Sequence, residues 1–167
     1  MTDKISIRPF LLTDKDRLIE IANNRNIYTN LRDAFPHPYT SEHAEVFLQK
    51  AISARPSQLM AILCNDHYVG NIGIHPGQDV YRKSAELGYF ISEDHWNKGI
   101  ATQAVAIMVE YTFANFQYVR IYASVFDYNK ASTKVLEKNG FLFEGSSTKS
   151  IYKNGNYYNE LHYALVR

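Results

Sequence analysis

The stretch between residues 85 and 140 constrains the fold more than any other part of the sequence. Its pattern predicts a strand over residues 85–91, a long helix over 99–116 and a second strand over 120–126. Another helix is predicted over 130–139, and Gly140 suits the left-handed position that ends it. Two strands of the same sheet joined through a helix of this length form a right-handed crossover and pair in parallel. The chain therefore contains a parallel strand pair.

The rest of the chain predicts antiparallel strands joined by short turns. Alternating or continuous apolar runs predict strands at residues 5–9, 58–64, 67–74, 141–147 and 157–166. Asn65-Asp66 and Asn154-Gly155 are typical hairpin turns. With the parallel pair, these strands make a mixed and mostly antiparallel sheet of about seven strands. No repeat or linker interrupts the pattern, so we expect one domain over residues 1–167.

Two further helices are predicted in the first third of the chain. The first is expected to begin at an N-cap on Thr13 and to end near Arg25, with Asp residues in its first turn. A connector over residues 26–39 follows. Thr40 or Ser41 then caps the second helix, which has one apolar stripe and ends before Pro56. The fold class is α/β or α+β, with helices flanking the sheet.

The composition argues against several classes of function. The chain has 167 residues, of which 46% are hydrophobic and 21% charged, as in a globular protein. A net charge of +1 without a long basic run gives no field for general nucleic-acid binding. We expect no cleaved signal peptide, because the opening MTDKISIRPF lacks the apolar core of one, and no membrane span, because the most apolar later stretch, residues 101–116, is interrupted by polar side chains. The single cysteine, Cys64, predicts neither an internal disulfide nor a thiolate metal site, and the cytoplasm is the expected compartment.

The loop between the strand at 85–91 and the long helix carries the clearest chemical signal. Its last part, residues 96–102, has the sequence WNKGIAT and opens the helix. The first turn of a helix has backbone N–H groups without intrahelical partners and the positive end of the dipole, so it suits a pyrophosphate. Gly99 leaves room for phosphate oxygens beside the backbone, and Lys98 adds a positive charge. A strand-to-helix turn that needs a glycine for its geometry is the alternative reading.

Several motifs in a fixed order resemble the GNAT superfamily of N-acetyltransferases, and most closely its ribosomal-protein (Rim-type) branch. They are IRPF near the start, PYT before the second helix, AELGYFI followed by WNKGIA, and then NKAS and VLEKNGF. The resemblance covers nearly the whole chain. It implies a GNAT-type sheet that splays between the fourth and fifth strands, with the pantetheine arm of acetyl-CoA in the gap. Trp96 departs from the Gln or Arg that often stands at the first position of the family's pyrophosphate loop.

The resemblance also implies which residues bind acetyl-CoA. The end of the fourth strand would meet the pantetheine arm, and the loop with the helix start would cradle the pyrophosphate. Asn129 resembles the asparagine that binds the pantetheine arm, and Ser132 lies near the thioester sulfur in the family. From the residues alone, Asn129 could equally cap a helix, and Ser132 could be a plain first-turn residue. The implied cofactor-binding set is Tyr89, Phe90, Ile91, Asn97, Lys98, Gly99, Ile100, Ala101, Thr102, Asn129 and Ser132.

The catalytic groups are less marked in the sequence. The family often keeps a carboxylate on the fourth strand that deprotonates the amine through water, and Glu86 stands there. A solvated glutamate or the partner of an arginine is the alternative. The acid tyrosine of many members is replaced by Leu136, which leaves Ser132 as the substitute donor to the leaving thiolate. His75 and Glu160 are further candidates for the base.

These expectations define one predicted function and one rival. The chain is expected to move the acetyl group of acetyl-CoA to a primary amine by direct attack in a ternary complex. The acceptor would be a protein N-terminus or a small-molecule amine, and a homodimer is left open. A catalytically silent acyl-CoA-binding module is the rival, favoured by Leu136. A nucleotide-phosphate enzyme has little support, because neither G-x-x-x-x-G-K-[ST] nor G-x-G-x-x-G occurs in the sequence.

Overall fold

A computed structural model describes residues 3–167, which form seven strands and five α-helices. The strands are β1 (Ile5–Pro9), β2 (Leu59–Cys64), β3 (His67–Pro76), β4 (Ser84–Ile91), β5 (Arg120–Phe126), β6 (Leu142–Lys153) and β7 (Asn156–Val166). The helices are α1 (Lys15–Ala22), α2 (Arg25–Thr29), α3 (Ser41–Ser53), α4 (Ile100–Asn115) and α5 (Lys130–Lys138). Among the described residues, no helix is both long and apolar enough to cross a membrane.

The strands follow the order β1-β2-β3-β4-β5-β7-β6. The pairs β1–β2, β2–β3, β5–β7 and β6–β7 are antiparallel, whereas β4 and β5 are parallel. The parallel register is short, since it pairs Ser84–Glu86 with Arg120–Tyr122. The predicted mixed sheet of seven strands with one parallel pair is confirmed.

The chain divides into two compact units. The first unit comprises the residues up to Gly73 together with Tyr89–Met108, and the second comprises Ile74–Gly88 together with Val109–Arg167. That residues 1–167 make a single domain stays a prediction.

The first unit has its core between α1, α3 and strands β1 to β3. Phe10 is 2% exposed and packs edge-on against Phe47, with ring centroids 5.1 Å apart, and against Tyr68 at 5.8 Å. Apolar residues spaced three and four apart give α1 and α3 their buried faces. The main buried members are Leu18, Ile21, Ala22, Ala44, Leu48, Ala51, Ala61 and Leu63.

The second unit is built on the β5–β7–β6 ladder and on α5. Ile121 and Leu136 are both fully buried. Helix α5 ends at Lys138, and Gly140 follows the C-cap in the left-handed conformation with φ of +79°, as predicted. There the N–H of Gly140 donates to the carbonyl of Glu137 at 3.0 Å, and the N–H of Phe141 donates to that of Leu136 at 3.1 Å. This is a Schellman motif, which pairs carbonyls that the helix itself leaves unsatisfied.

The N-terminal helix differs from its prediction at both ends. Thr13 is not an N-cap, because it lies inside a short 3₁₀ turn at residues 12–14 that precedes α1. Asp14 organises this turn: its carboxylate accepts the Leu11 N–H at 2.8 Å and two bonds from the Arg8 guanidinium at 2.7 Å. The helix also ends at Ala22 rather than near Arg25. Short-range polar contacts therefore determine the backbone conformation before α1, which the apolar pattern does not predict.

The other turns and caps follow the sequence closely. Asn65 and Asp66 both have positive φ, and so do Asn154 and Gly155, as two-residue hairpin turns require. The Thr40 hydroxyl accepts the N–H of His43 at 3.4 Å and caps α3, which confirms the predicted start.

Candidate active site

The loop between β4 and α4 is held by hydrogen bonds to β3 and β4 and by one within the loop itself. The N–H of Ser92 donates to the carbonyl of Val69 at 2.8 Å, which ties the loop to β3. The indole N–H of Trp96 donates to the carbonyl of Ile91 at 2.8 Å. The ammonium of Lys98 donates to the carbonyl of Asp94, also at 2.8 Å. These hydrogen bonds therefore hold the loop in one defined conformation.

Two residues in left-handed conformation shape the last part of this loop. Asn97 has φ of +59° and Gly99 has φ of +74°. An ideal Cβ on Gly99 would meet nothing within 4 Å, so the glycine is required by backbone conformation and leaves open space beside it. Helix α4 then begins at Ile100, which is 1% exposed and anchors the first turn. The N–H groups of that turn have no acceptor in the helix and point to where an anion would bind.

The end of β4 is shaped by a glycine in the neighbouring strand. A Cβ on Gly70 would lie 2.4 Å from the carbonyl oxygen of Phe90 and 3.0 Å from the Cα of Ile91. Glycine is needed there, because any side chain would push this part of β4 away. The Phe90 ring packs edge-on against Phe35, with centroids 5.5 Å apart. Tyr89 and Phe90 are half-buried and Ile91 is buried, so this segment presents backbone groups at fixed positions.

The segment over residues 23–39, which contains α2 and the connector, is tied to the same loop. The Asn23 side chain exchanges two hydrogen bonds of 2.7 Å with the backbone of Tyr39 and so closes the connector at its base. The side-chain amides of Asn24 and Asn26 donate to the two carboxylate oxygens of Glu93, at 2.6 and 2.8 Å. Burial raises the pKa of Tyr39 to about 12, so its phenol stays protonated near neutral pH. The connector is thus held beside the loop that follows β4.

Glu86 lies in the second unit, half-buried on β4 and paired in register with Tyr122 of β5. Alternation places Gly88 on the same face of the strand. An ideal Cβ on Gly88 would be 3.8 Å from Nε2 of His75, so that imidazole lies over the same face. The structure therefore places Glu86 and His75, two of the three candidate bases, over the same face of β4.

Asn129 and Ser132 stand at the start of α5. The Asn129 side-chain oxygen accepts the N–H of Ser132 at 3.2 Å, so Asn129 is the N-cap of this helix. The capping alternative is thus correct, while the Asn129 amide group keeps donor hydrogens for a ligand. Leu136, on the same helix, is fully buried.

Neither a metal nor a reactive thiol is indicated in the described part of the chain. Within residues 3–167, no group of three or more His, Cys, Asp or Glu side chains is close enough to hold a metal ion. Cys64 is 7% exposed on β2, and burial raises the pKa of its thiol. It is a buried strand residue, as expected.

Comparison with protein families decides the relationship that the motifs indicate. Residues 4–142 match the family model described as the acetyltransferase (GNAT) domain. This chain belongs to the GNAT acetyltransferase family. The prediction made from the order of the motifs is confirmed.

Individual relatives agree with the GNAT assignment. Uncharacterized N-acetyltransferase YoaA of Bacillus subtilis is 37% identical over 99 residues, which cover 59% of this chain and 55% of that protein. The chain thus matches only about half the length of this curated relative. A structure of the RimL ribosomal L7/L12 alpha-N-protein acetyltransferase with coenzyme A superposes with a TM-score of 0.86 at 20% identity, covering 97% of this chain and 93% of that one. Spermidine N-acetyltransferase from Vibrio cholerae, with CoA and spermine, gives a TM-score of 0.83 at 22% identity, with coverage of 97% and 95%.

The sequence pattern does not predict three features of this GNAT chain. Trp96 departs from the Gln or Arg often found at the first position of the family's pyrophosphate loop, yet its indole anchors the loop to the end of β4. Gly70 lay in an apolar run where nothing marked its contact with β4. His162 was not singled out, although its imidazole contacts the hydroxyls of Ser124 and Ser147. The alternation of β7 could have placed His162 on the same face as Glu160, but its serine partners lie on other strands.

Proposed function

We propose that this chain is an N-acetyltransferase that moves the acetyl group of acetyl-CoA to a primary amine. The observation that carries the proposal is the fastened loop at residues 92–99, which presents the first turn of α4 through two left-handed residues. A helix start held in this way suits the pyrophosphate of a CoA thioester. Membership of the GNAT family supports the same reading.

The cofactor contacts in this proposal come from both ends of the loop. The amides at Gly99, Ile100, Ala101 and Thr102 take the pyrophosphate, with Asn97 setting the turn. The Lys98 ammonium, which donates to one carbonyl, has further hydrogens and a charge for phosphate. The backbone of Tyr89, Phe90 and Ile91 takes the pantetheine arm, and Asn129 is proposed as a second pantetheine contact on the resemblance alone.

The reaction in this proposal is direct attack in a ternary complex. The amine must first be neutral, and Glu86 takes its proton through water. The amine nitrogen then attacks the thioester carbonyl carbon, while a backbone N–H near Phe90 or Ile91 stabilises the developing oxyanion. The C–S bond breaks, and the Ser132 hydroxyl supplies a proton to the CoA thiolate. With Leu136 in place of a tyrosine, Ser132 is the proposed donor.

The acceptor in this proposal is a peptide N-terminus or a small-molecule amine. Relatives of similar fold are named for both kinds: RimL for a ribosomal protein and the Vibrio cholerae enzyme for spermidine. We place the reaction in the cytoplasm, because the lone cysteine requires no oxidising compartment. A homodimer stays a prediction.

The rival function is a silent acyl-CoA-binding module, which the buried Leu136 favours. One experiment separates the two. The protein is incubated with acetyl-CoA and a panel of N-terminal peptides, polyamines and aminoglycosides, and products are detected by mass spectrometry. The proposal expects an acetylated amine and free CoA. Binding of acetyl-CoA without acetylation of any amine would favour the silent module.

A further inference from the structure

One face of the second unit carries a row of polar side chains from adjacent strands. Residues that pair directly across strands lie on the same face of a sheet. Glu86 on β4 pairs with Tyr122 on β5, and Ser124, two residues further along β5, pairs with His162 on β7. Glu86, Tyr122, Ser124 and His162 therefore share one face, which we call the polar face. All four are half-buried.

The His162 imidazole is held at both nitrogens by serine hydroxyls. Its Nε2 lies 2.8 Å from the Ser147 hydroxyl oxygen on β6, and its Nδ1 lies 3.4 Å from that of Ser124 on β5. The Ser147 contact has an ordinary hydrogen-bond length, whereas the Ser124 contact is long. Catalytic hydrogen bonds in ligand-free enzymes are often long and shorten when substrate binds. The ring is thus oriented by Ser147 and turned toward Ser124.

The donor and acceptor roles in these two contacts depend on which nitrogen of the neutral ring carries the proton. In the form with the proton on Nε2, the ring N–H donates to Ser147, and the Nδ1 lone pair faces the Ser124 hydroxyl. Ser124 then donates its proton to Nδ1. A serine hydroxyl backed by a histidine nitrogen both accepts a proton from a bound group and passes its own proton on.

The polar face also brings Ser124 close to Glu86. With strands about 4.8 Å apart and about 3.3 Å per residue along each strand, their Cα positions are separated by roughly 8 Å. This spacing is short enough for one amine group to contact both side chains, directly or through a water molecule. The polar face thus offers two routes for protons.

We infer that Ser124 and His162 form the second proton route of the reaction, so that Ser124 touches the acceptor nitrogen and His162 is the positioning and proton-storing residue behind it. This inference rests on the proposed acetyltransferase function. An ammonium acceptor loses two protons on its way to an amide. The first goes to Glu86 and gives the free amine. After the C–N bond forms, the second goes to Ser124, whose own proton moves to Nδ1 of His162.

The proton balance of this scheme closes without another reactant. The C–S bond breaks as the tetrahedral centre collapses, and its electron pair leaves with the CoA sulfur, which takes one proton from the Ser132 hydroxyl. Two protons leave the amine and one is taken up by the thiolate. The two protons from the amine pass to solvent through Glu86 and His162, and Ser132 regains one proton from solvent, so the net release is one proton per turnover.

Other charged and titratable groups surround His162. Glu144 on β6 receives a hydrogen bond of 2.7 Å from the Arg120 guanidinium. That bond holds the pKa of Glu144 below its usual value, and His162 adds a smaller effect in the same direction. Glu160 lies on the polar face two residues before His162 on β7, and Tyr122 lies beside Ala164. Variants at His162 keep these neighbouring groups unchanged, so their pH profiles can be compared with that of wild type.

The first test is a pH profile of kcat and KM with a peptide amide that has a free α-amino group and with spermidine. His162→Gln should lower kcat by about 10²-fold or more, with KM for acetyl-CoA unchanged, and should change the shape of the pH profile of kcat. His67→Gln, an exposed histidine on β3 outside the polar face, serves as the matched control and should behave like wild type. Ser124→Ala should lower kcat alongside His162→Gln. Wild-type profiles in both His162→Gln and Ser124→Ala would overturn the inference.

The second test is the nitrogen NMR spectrum of the His162 ring, which does not depend on turnover. Wild type should show the form with the proton on Nε2, and Ser147→Ala should reduce that preference and lower kcat less than His162→Gln. A proton on Nδ1 in wild type, or a spectrum unaffected by Ser147→Ala, would overturn the inference. If wild type acetylates neither amine, the proposed function fails for those acceptors, and the NMR result still decides on the ring.

Discussion

Replacing Gly99 with alanine separates the two reasons for a glycine in the loop before α4. At φ of +74°, an L-residue costs about 1–2 kcal/mol in the left-handed region. An added Cβ would meet nothing within 4 Å, so no clash adds to this cost in the ligand-free protein. For a chain of this size, 1 kcal/mol corresponds to about 2–4 °C in Tm, so Gly99→Ala should lower Tm by roughly 2–8 °C.

Gly155 offers a matched control for this prediction. It has φ of +80°, and an added Cβ there also meets nothing within 4 Å, but it lies in the β6–β7 hairpin. Gly155→Ala should therefore lose a similar amount of stability. Calorimetry with acetyl-CoA should give wild-type affinity for Gly155→Ala and at least a tenfold weaker Kd, about 1.4 kcal/mol, for Gly99→Ala. Equal stability losses with wild-type Kd in both variants would refute a pyrophosphate site at this loop.

Four other changes test separate parts of the structure. Gly70→Ala should lower the free energy of unfolding in urea by about 1–3 kcal/mol, because the new methyl group collides with the β4 backbone. Unchanged stability would show that β4 shifts without a cost. Asn129→Ala should lose about 1 kcal/mol as an N-cap, and weaker acetyl-CoA binding in calorimetry would add the pantetheine role, whereas a wild-type Kd would exclude it. Glu86→Gln should lower kcat/KM by about 10²- to 10⁴-fold at neutral pH, with partial recovery at high pH; coincident pH profiles would remove it from the mechanism. Burial raises the pKa of the Asp14 carboxyl. Hydrogen bonds from Arg8 and the backbone outweigh burial, so the pKa is lowered overall. Its stabilising effect should therefore be present above the unfolded-state pKa of about 3.9 and lost as pH falls through the lower folded value, so urea midpoints of Asp14→Asn should vary less with acid than those of wild type.

Elements with strong local patterns were predictable from the sequence. The bounds of β5 agree with the prediction at both ends, because its β-branched and aromatic residues alternate in burial. The two hairpin turns follow from Asn-Asp and Asn-Gly pairs, which tolerate positive φ. The end of α1 was not predictable, since Asn24 starts a new helix by accepting the N–H groups of Asn26 and Ile27. Competition between a side-chain cap and helix continuation has no period that a pattern can show.

The candidate site also contains residues that local sequence patterns predict and residues that they do not. The loop around Gly99 was found because its residues are contiguous and in an order typical of the family. Gly70 and His162 were not found, because their roles depend on partners 20 and 38 residues away, Phe90 and Ser124, that only strand register brings near. Trp96 was read as a substitution at a phosphate position, and its hydrogen bond to Ile91 shows why an aromatic residue is useful there.

The central claim is tested most directly by following the acetyl group itself through one turnover. Enzyme in excess over acetyl-CoA labelled in the acetyl group is mixed with an accepted amine, and the reaction is stopped at short times for mass spectrometry of amine, protein and free acetate. The account predicts that the label passes to the amine at the rate at which CoA appears, with none on the protein. Label appearing first on the protein, or as acetate with no acetylated amine, would contradict direct transfer by this chain.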